Sequence, residues 1–152
     1  MNPSAGSLWL TAAGACSLVI ALAHLGAIAI GPAAWRFMQA PELAEQAQRG
    51  AWLRPVALTL AVTAVFVAWG AYAWSGAGRL PRLPLLRPAL VAIAAVYTLR
   101  GALVVYQARH LFPPDGYPAR FIVFSLVALA VGALHVAGVF ANWNALAGAA
   151  PR

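Results

Sequence analysis

An all-α integral membrane protein, a four-helix bundle with spans near residues 8–30, 56–74, 85–105 and 121–140, is the fold class this sequence predicts. Three observations carry that expectation. Of 152 residues, 63% are hydrophobic, and there are only ten basic and three acidic side chains. That is the balance of a chain dissolved in lipid. The apolar residues gather into four runs of about 20, the length that crosses a hydrocarbon core of roughly 30 Å. The runs are rich in Leu, Ala, Val and Ile without period-2 alternation, which favours helices over barrel strands.

Each run is punctuated as a helix. Gly31-Pro32 closes the first, Pro55 opens the second, and Gly76 and Gly78 follow its end. Pro88 lies in the first turn of the third, and Pro113, Pro114 and Pro118 precede the fourth. Proline is tolerated at a helix start, where its missing N–H would have no partner anyway. The first run has no basic residue before it and is longer than a secretory apolar core, so it reads as a retained span. Aromatics stand at the run ends as interfacial anchors: Trp9, Trp52, Trp74, Tyr106, Tyr117 and Trp143, with Trp35 just past the first span. The whole chain, 1–152, reads as one four-span domain.

The connection after the first span is the one long enough to fold. Pro41 at a first-turn position, Glu42 and Glu45 early, Arg49 late and Gly50 behind it describe a short interfacial helix near 41–49. Glu45 and Arg49, four apart, are set for a surface pair. This helix is a solvated cap, or a lid whose apolar face is Trp35, Phe37 and Met38.

All ten basic residues are Arg, and the net charge is +7. With no recognition motif or basic stripe, nucleic acid is not the expected partner. Arginines that flank apolar runs meet lipid phosphates and bias topology. The loop "SGAGRLPRLPLLRP" holds Arg79, Arg82 and Arg87 and no acid, which argues for a cytoplasmic loop with both termini on that side. The other two loops and their borders hold Arg36, Arg49, Arg54, Arg109 and Arg120, so the basic-residue count barely separates the two orientations. His110 reads as an interfacial residue. Cys16 is the single cysteine, so an intrachain disulfide or a cysteine metal site is excluded.

Arg100 is the anomaly, a guanidinium in the third run costing about 2.5–3.5 kcal/mol at a membrane centre. It belongs on an interior face. Tyr97 and Gln107 share its stripe. The first span carries Ser17, His24 and Gly31 among alanines at spacings of three and four. The fourth repeats the pattern with Ser125, Gly132, His135, Gly138 and Asn142. Small residues on one face let backbones approach, and their polar neighbours bond across the contact. Thr59 and Thr63 give the second span a milder version. Counting 1.5 Å per residue from the face carrying the termini, His24, Ser125 and Arg100 lie at about 22–24 Å, Tyr97 at about 18 Å and His135 at about 8 Å. Arg100, His24, Tyr97, Ser125 and Gln107 therefore form the candidate ligand-binding set, and His135, Thr59 and Thr63 a second polar region.

The same arithmetic argues against a cofactor. A bis-histidine haem needs ligands on opposite faces of one iron, and a vertical offset of roughly 16 Å between His24 and His135 does not suit it. No span carries a carboxylate, so neither a metal site nor a Ser-His-acid constellation is expected. Two readings of Arg100 stand: it reaches the nearer interface or bonds neutral groups, or it anchors a lipid phosphate or the carboxylate of a small anion.

The stretches "ALAHLGAIAIGPAAWRF", "APELAE" and "AWLRPVALTLAVTAVFVAWGAYAWSGAGRLPRLPLLRPALVAIAAVYTLRG" resemble a family of small uncharacterised bacterial four-span inner-membrane proteins. The likeness covers most of the chain and is densest in "YAWSGAGRLPRLPLLRPAL" and around Arg100. His24 and Glu42 are similar to a histidine and an acid of that family, while Pro41 stands where the family is richer in glycine. The resemblance implies a four-span bundle in the bacterial inner membrane and supplies no activity. Three function classes remain: a structural or accessory membrane protein partnered by a second copy or another membrane protein; a binder or carrier of an amphiphile or small anion; and, least favoured by the residues, a membrane enzyme or electron carrier.

Overall fold

The computed structural model describes residues 5–109 and 118–148, so the expectations for His110, Pro113, Pro114, Asp115 and Tyr117 lie outside the described residues. The protein is all-α, with no strand among the described residues. Among the described residues four helices are long and apolar enough to cross a membrane: α1 (Ala5–Ile30), α4 (Leu53–Gly76), α5 (Leu86–Arg109) and α6 (Ala119–Ala141). It is a multi-pass membrane protein of the class the sequence predicts. Each helix overruns its apolar run by a few residues, because backbone hydrogen bonding continues past the last apolar side chain.

The described residues also form three short helices: α2 (Pro32–Phe37), α3 (Pro41–Gln48) and α7 (Trp143–Leu146). α3 is the expected interfacial helix. α2 was not expected: Gly31 at φ 80° turns the backbone sharply, and Pro32 at once opens a new helix as its first residue. The proline that closes one helix thus starts the next.

The chain packs as two compact units, one drawn from Met1–Ala15 and Ala71–Arg152 and the other from Cys16–Gly70. In the second unit the core is Ala27, Trp35, Ala44 and Ala47, with Val56 and Leu43 packed around it. Trp35, expected as an interfacial anchor, is instead 2% exposed. The turn at Gly31 carries α2 back, and the indole meets Trp52 with centroids 5.8 Å apart and planes tilted by 55°. Phe37, read as part of the same apolar face, is exposed. Six residues make fewer than two turns, so positions two apart lie on opposite sides. The surface pair Glu45–Arg49 does not form. Arg49 has left the helix as its C-cap, and the neighbouring connection is tied by Arg36 Nη2 donating to Gln48 Oε1 at 2.6 Å.

In the first unit buried side chains such as Leu10, Leu90 and Ile93 are joined by close backbone approach at glycines. A Cβ added at Gly101 would lie 2.5 Å from the Leu129 backbone nitrogen, and one at Gly132 would lie 2.8 Å from Thr98 Oγ1. These two glycines set α5 against α6. Leu10 of α1 is fully buried against Gly138, in contact with the space beside Gly76. Trp74 donates its indole N–H to the Thr11 carbonyl at 3.2 Å, which ties the end of α4 to the start of α1.

Candidate functional site

The α5–α6 contact carries the polar side chains that the sequence nominates. Arg100, half-buried on α5, donates from Nη1 to Ser125 Oγ of α6 at 2.8 Å. Ser125 is completely buried and donates in turn to Gln107 Oε1 at 2.7 Å. Gln107 is back on α5, about 10 Å along the axis from Arg100. The two long side chains lean towards each other and meet on one hydroxyl. Each member satisfies a neighbour: the guanidinium supplies donors, Ser125 accepts one and passes its own proton on, and the amide oxygen accepts it. Arg100 therefore uses neutral partners, in the manner of an intramembrane cation without a carboxylate.

Tyr97 joins a different group. Its ring stacks on His135 with centroids 5.2 Å apart and planes 25° apart. Helical rise alone put these two residues about 10 Å apart in height. The discrepancy is a register shift. Aligning the ends of the apolar runs sets residue 100 beside 125, whereas the observed contacts set 101 beside 129 and 98 beside 132. Glycine contacts, not run ends, fix the register, and Arg100 reaches Ser125 because its side chain is long.

His135 is fully buried, and its Nδ1 lies 2.9 Å from the Val131 carbonyl one turn back. That contact makes Nδ1 the protonated nitrogen and leaves Nε2 as the acceptor. Nε2 has no hydrogen-bond partner among the described residues, and neither has Thr98 Oγ1 on the same α5–α6 contact. Thr98 was not nominated by sequence. It resembles any other helical threonine, and only its packing against Gly132 distinguishes it.

The remaining nominees belong to the second unit. His24 Nδ1 lies 2.8 Å from the Ile20 carbonyl, and its ring stands 5.2 Å from Phe66. Phe66 meets Trp69 edge-on at 5.3 Å, so His24 is part of an aromatic row. Thr63 Oγ1 donates to the Thr59 carbonyl, and Thr59 Oγ1 to the Pro55 carbonyl, each one turn back. Thr59 Oγ1 also accepts the Trp35 indole N–H at 2.9 Å, which fastens α2 to α4. Trp35 was thus a polar-site residue hidden among expected anchors.

The described residues contain no group of three or more His, Cys, Asp or Glu able to hold a metal ion. The chemistry on offer is hydrogen bonding by a guanidinium, hydroxyls, one amide and two imidazoles. Compared with family models, curated proteins and solved structures, the chain matches none.

Proposed function

We propose that this chain is a structural or accessory protein of the bacterial inner membrane, with α5 and α6 as its fixed scaffold. One observation carries the reading: the intramembrane arginine bonds Ser125, which bonds Gln107, so the polar stripe of α5 is engaged in holding α6. Buried polar pairs in membranes contribute modest energy, about 0.6 kcal/mol on average, together with a defined register. A second copy or another membrane protein is the partner this role calls for. The acid-free loop holding Arg79, Arg82 and Arg87 supports a cytoplasmic face for that loop and both termini.

A second reading, a binder or carrier of a small anion or amphiphile at Arg100, has one observation in its favour. A guanidinium has five N–H donors, and Arg100 makes a single hydrogen bond among the described residues. Native mass spectrometry of the gently solubilised protein beside Arg100→Leu, with thermal unfolding of both, separates the two. The structural reading expects identical adducts on both proteins and a lower unfolding temperature for the variant. An adduct carried by the wild type and lost in Arg100→Leu would replace it with the anion-binding reading.

A further inference from the structure

The loop between α4 and α5 and the first turn of α5 hold three arginines, Arg79, Arg82 and Arg87, and two of them are engaged by the protein. Arg79 Nε donates to Thr11 Oγ1 at 2.8 Å. Arg82 donates to the carbonyls of Ala145, at 3.1 Å, and Leu146, closing the C-terminal end of α7. Arg87 is different. Its guanidinium carbon lies over the Trp143 ring, 4.7 Å from the centroid, and the group makes no hydrogen bond among the described residues. A guanidinium held over an indole face by a cation–π contact keeps N–H donors available to an acceptor.

Two depressions meet at this pair. The first, about 520 Å³, is lined by Arg82, Arg87 and the neighbouring loop with Leu146 and Ala147, and it presents polar groups. The second, about 670 Å³, is a groove along the α5–α6 contact with an almost wholly carbon lining. Ala94 and Val139, both buried, form its floor, and the exposed Val91 and Phe140 its rims. It runs from Thr98 up to Trp143. From Thr98 to Arg87 is eleven residues, about 16 Å of helix. One leaflet of the hydrocarbon core is about 15 Å deep. The groove thus has the length of an acyl chain in one leaflet, with a cation and an indole where the headgroup begins.

We propose that Arg87, Trp143 and the α5–α6 groove form a site for one anionic phospholipid. The phosphate is bridged by the Arg87 guanidinium, with the Arg82 side of the polar depression adding positive potential. One acyl chain lies over Ala94, Ala95 and Val139. Charge complementarity selects the occupant: no acid lies in residues 74–114, so the headgroup end of the groove repels cations and attracts phosphate. Trp143 holds the guanidinium at the interface, and the alanines make room for the chain. The site is separate from Arg100, so it stands or falls apart from either reading above.

The test is native mass spectrometry of the full chain titrated with phosphatidylglycerol or with phosphatidylcholine of identical acyl chains. The wild type is expected to retain phosphatidylglycerol at roughly tenfold lower concentration, the size of one charged hydrogen bond. Arg87→Gln abolishes that preference, and Ala95→Phe, which fills the groove, weakens retention of both lipids. Arg79→Gln, in the connection before α5, leaves the preference intact. Circular dichroism checks folding, and Arg87→Lys, which keeps the charge, retains a preference if Arg87→Gln proves unstable. Equal retention of the two lipids by the wild type overturns the proposal. So does an unchanged preference in a folded Arg87→Gln, unaltered retention in Ala95→Phe, or full displacement of the lipid by millimolar inorganic phosphate, which would mark a site for the free anion.

Discussion

The seam between α5 and α6 and the threonine ladder of α4 both consist of polar side chains on one helix face, yet they use their hydrogen bonds differently. In the seam Arg100 and Gln107 reach across to Ser125, and the helices are held by side chain to side chain bonds. In the ladder Thr59 and Thr63 bond carbonyls of their own helix, and one link, from Trp35, leaves it. A hydroxyl one turn from a carbonyl satisfies itself locally, whereas a guanidinium or amide on a long stem must find a partner elsewhere. Periodicity locates a polar face and is silent about which of these two uses it serves.

The largest expected effect comes from forcing the seam apart. Gly101→Val places a side chain against the Leu129 backbone, which has no rotamer with which to yield. Thermal or denaturant unfolding in a fixed detergent is expected to show a loss of about 3 kcal/mol. An unchanged stability would mean that α5 and α6 do not meet at this register.

Ser125→Ala comes next. It removes the hydroxyl shared by Arg100 and Gln107 at a fully buried position, and a loss of about 2 kcal/mol is expected in the same assay. Thr63→Val is the contrasting case and the smallest. Its hydroxyl bonds the Thr59 carbonyl, which remains available to the helical backbone ladder, so the change is expected to stay within about 0.5 kcal/mol. If the two substitutions cost the same, the distinction between seam and ladder fails.

Much of this architecture is legible in the amino-acid sequence. Hydropathy marked four spans, since nothing else in a short chain needs so many consecutive apolar residues. Arg100 is legible because a guanidinium is costly inside a span, Gln107 because it shares the polar stripe of Arg100, and Ser125 because it lies on the small-residue face of the fourth span. Their register was not legible. It depends on Gly101 meeting Leu129 and Gly132 meeting Thr98, which is pairwise information that one helix's pattern does not hold. The same limit hid the Tyr97–His135 stack, whose partners lie at different heights when the run ends are aligned. Trp35 departs from its expected place for another reason: aromatic residues near a span end usually face the interface. The positive φ at Gly31, which turns α2 and its indole inward, leaves no trace in hydropathy.

The central claim is that Arg100 and Ser125 hold α5 to α6 by acting on each other, and a double-mutant cycle measures it most directly. Unfolding free energies of the wild type, Arg100→Gln, Ser125→Ala and the double variant, taken in one detergent, yield the coupling between the two side chains. The seam predicts a coupling of about 1 kcal/mol, the upper part of the range for hydrogen bonds between membrane helices. A coupling no larger than about 0.3 kcal/mol, the ordinary additivity of independent sites, would contradict it.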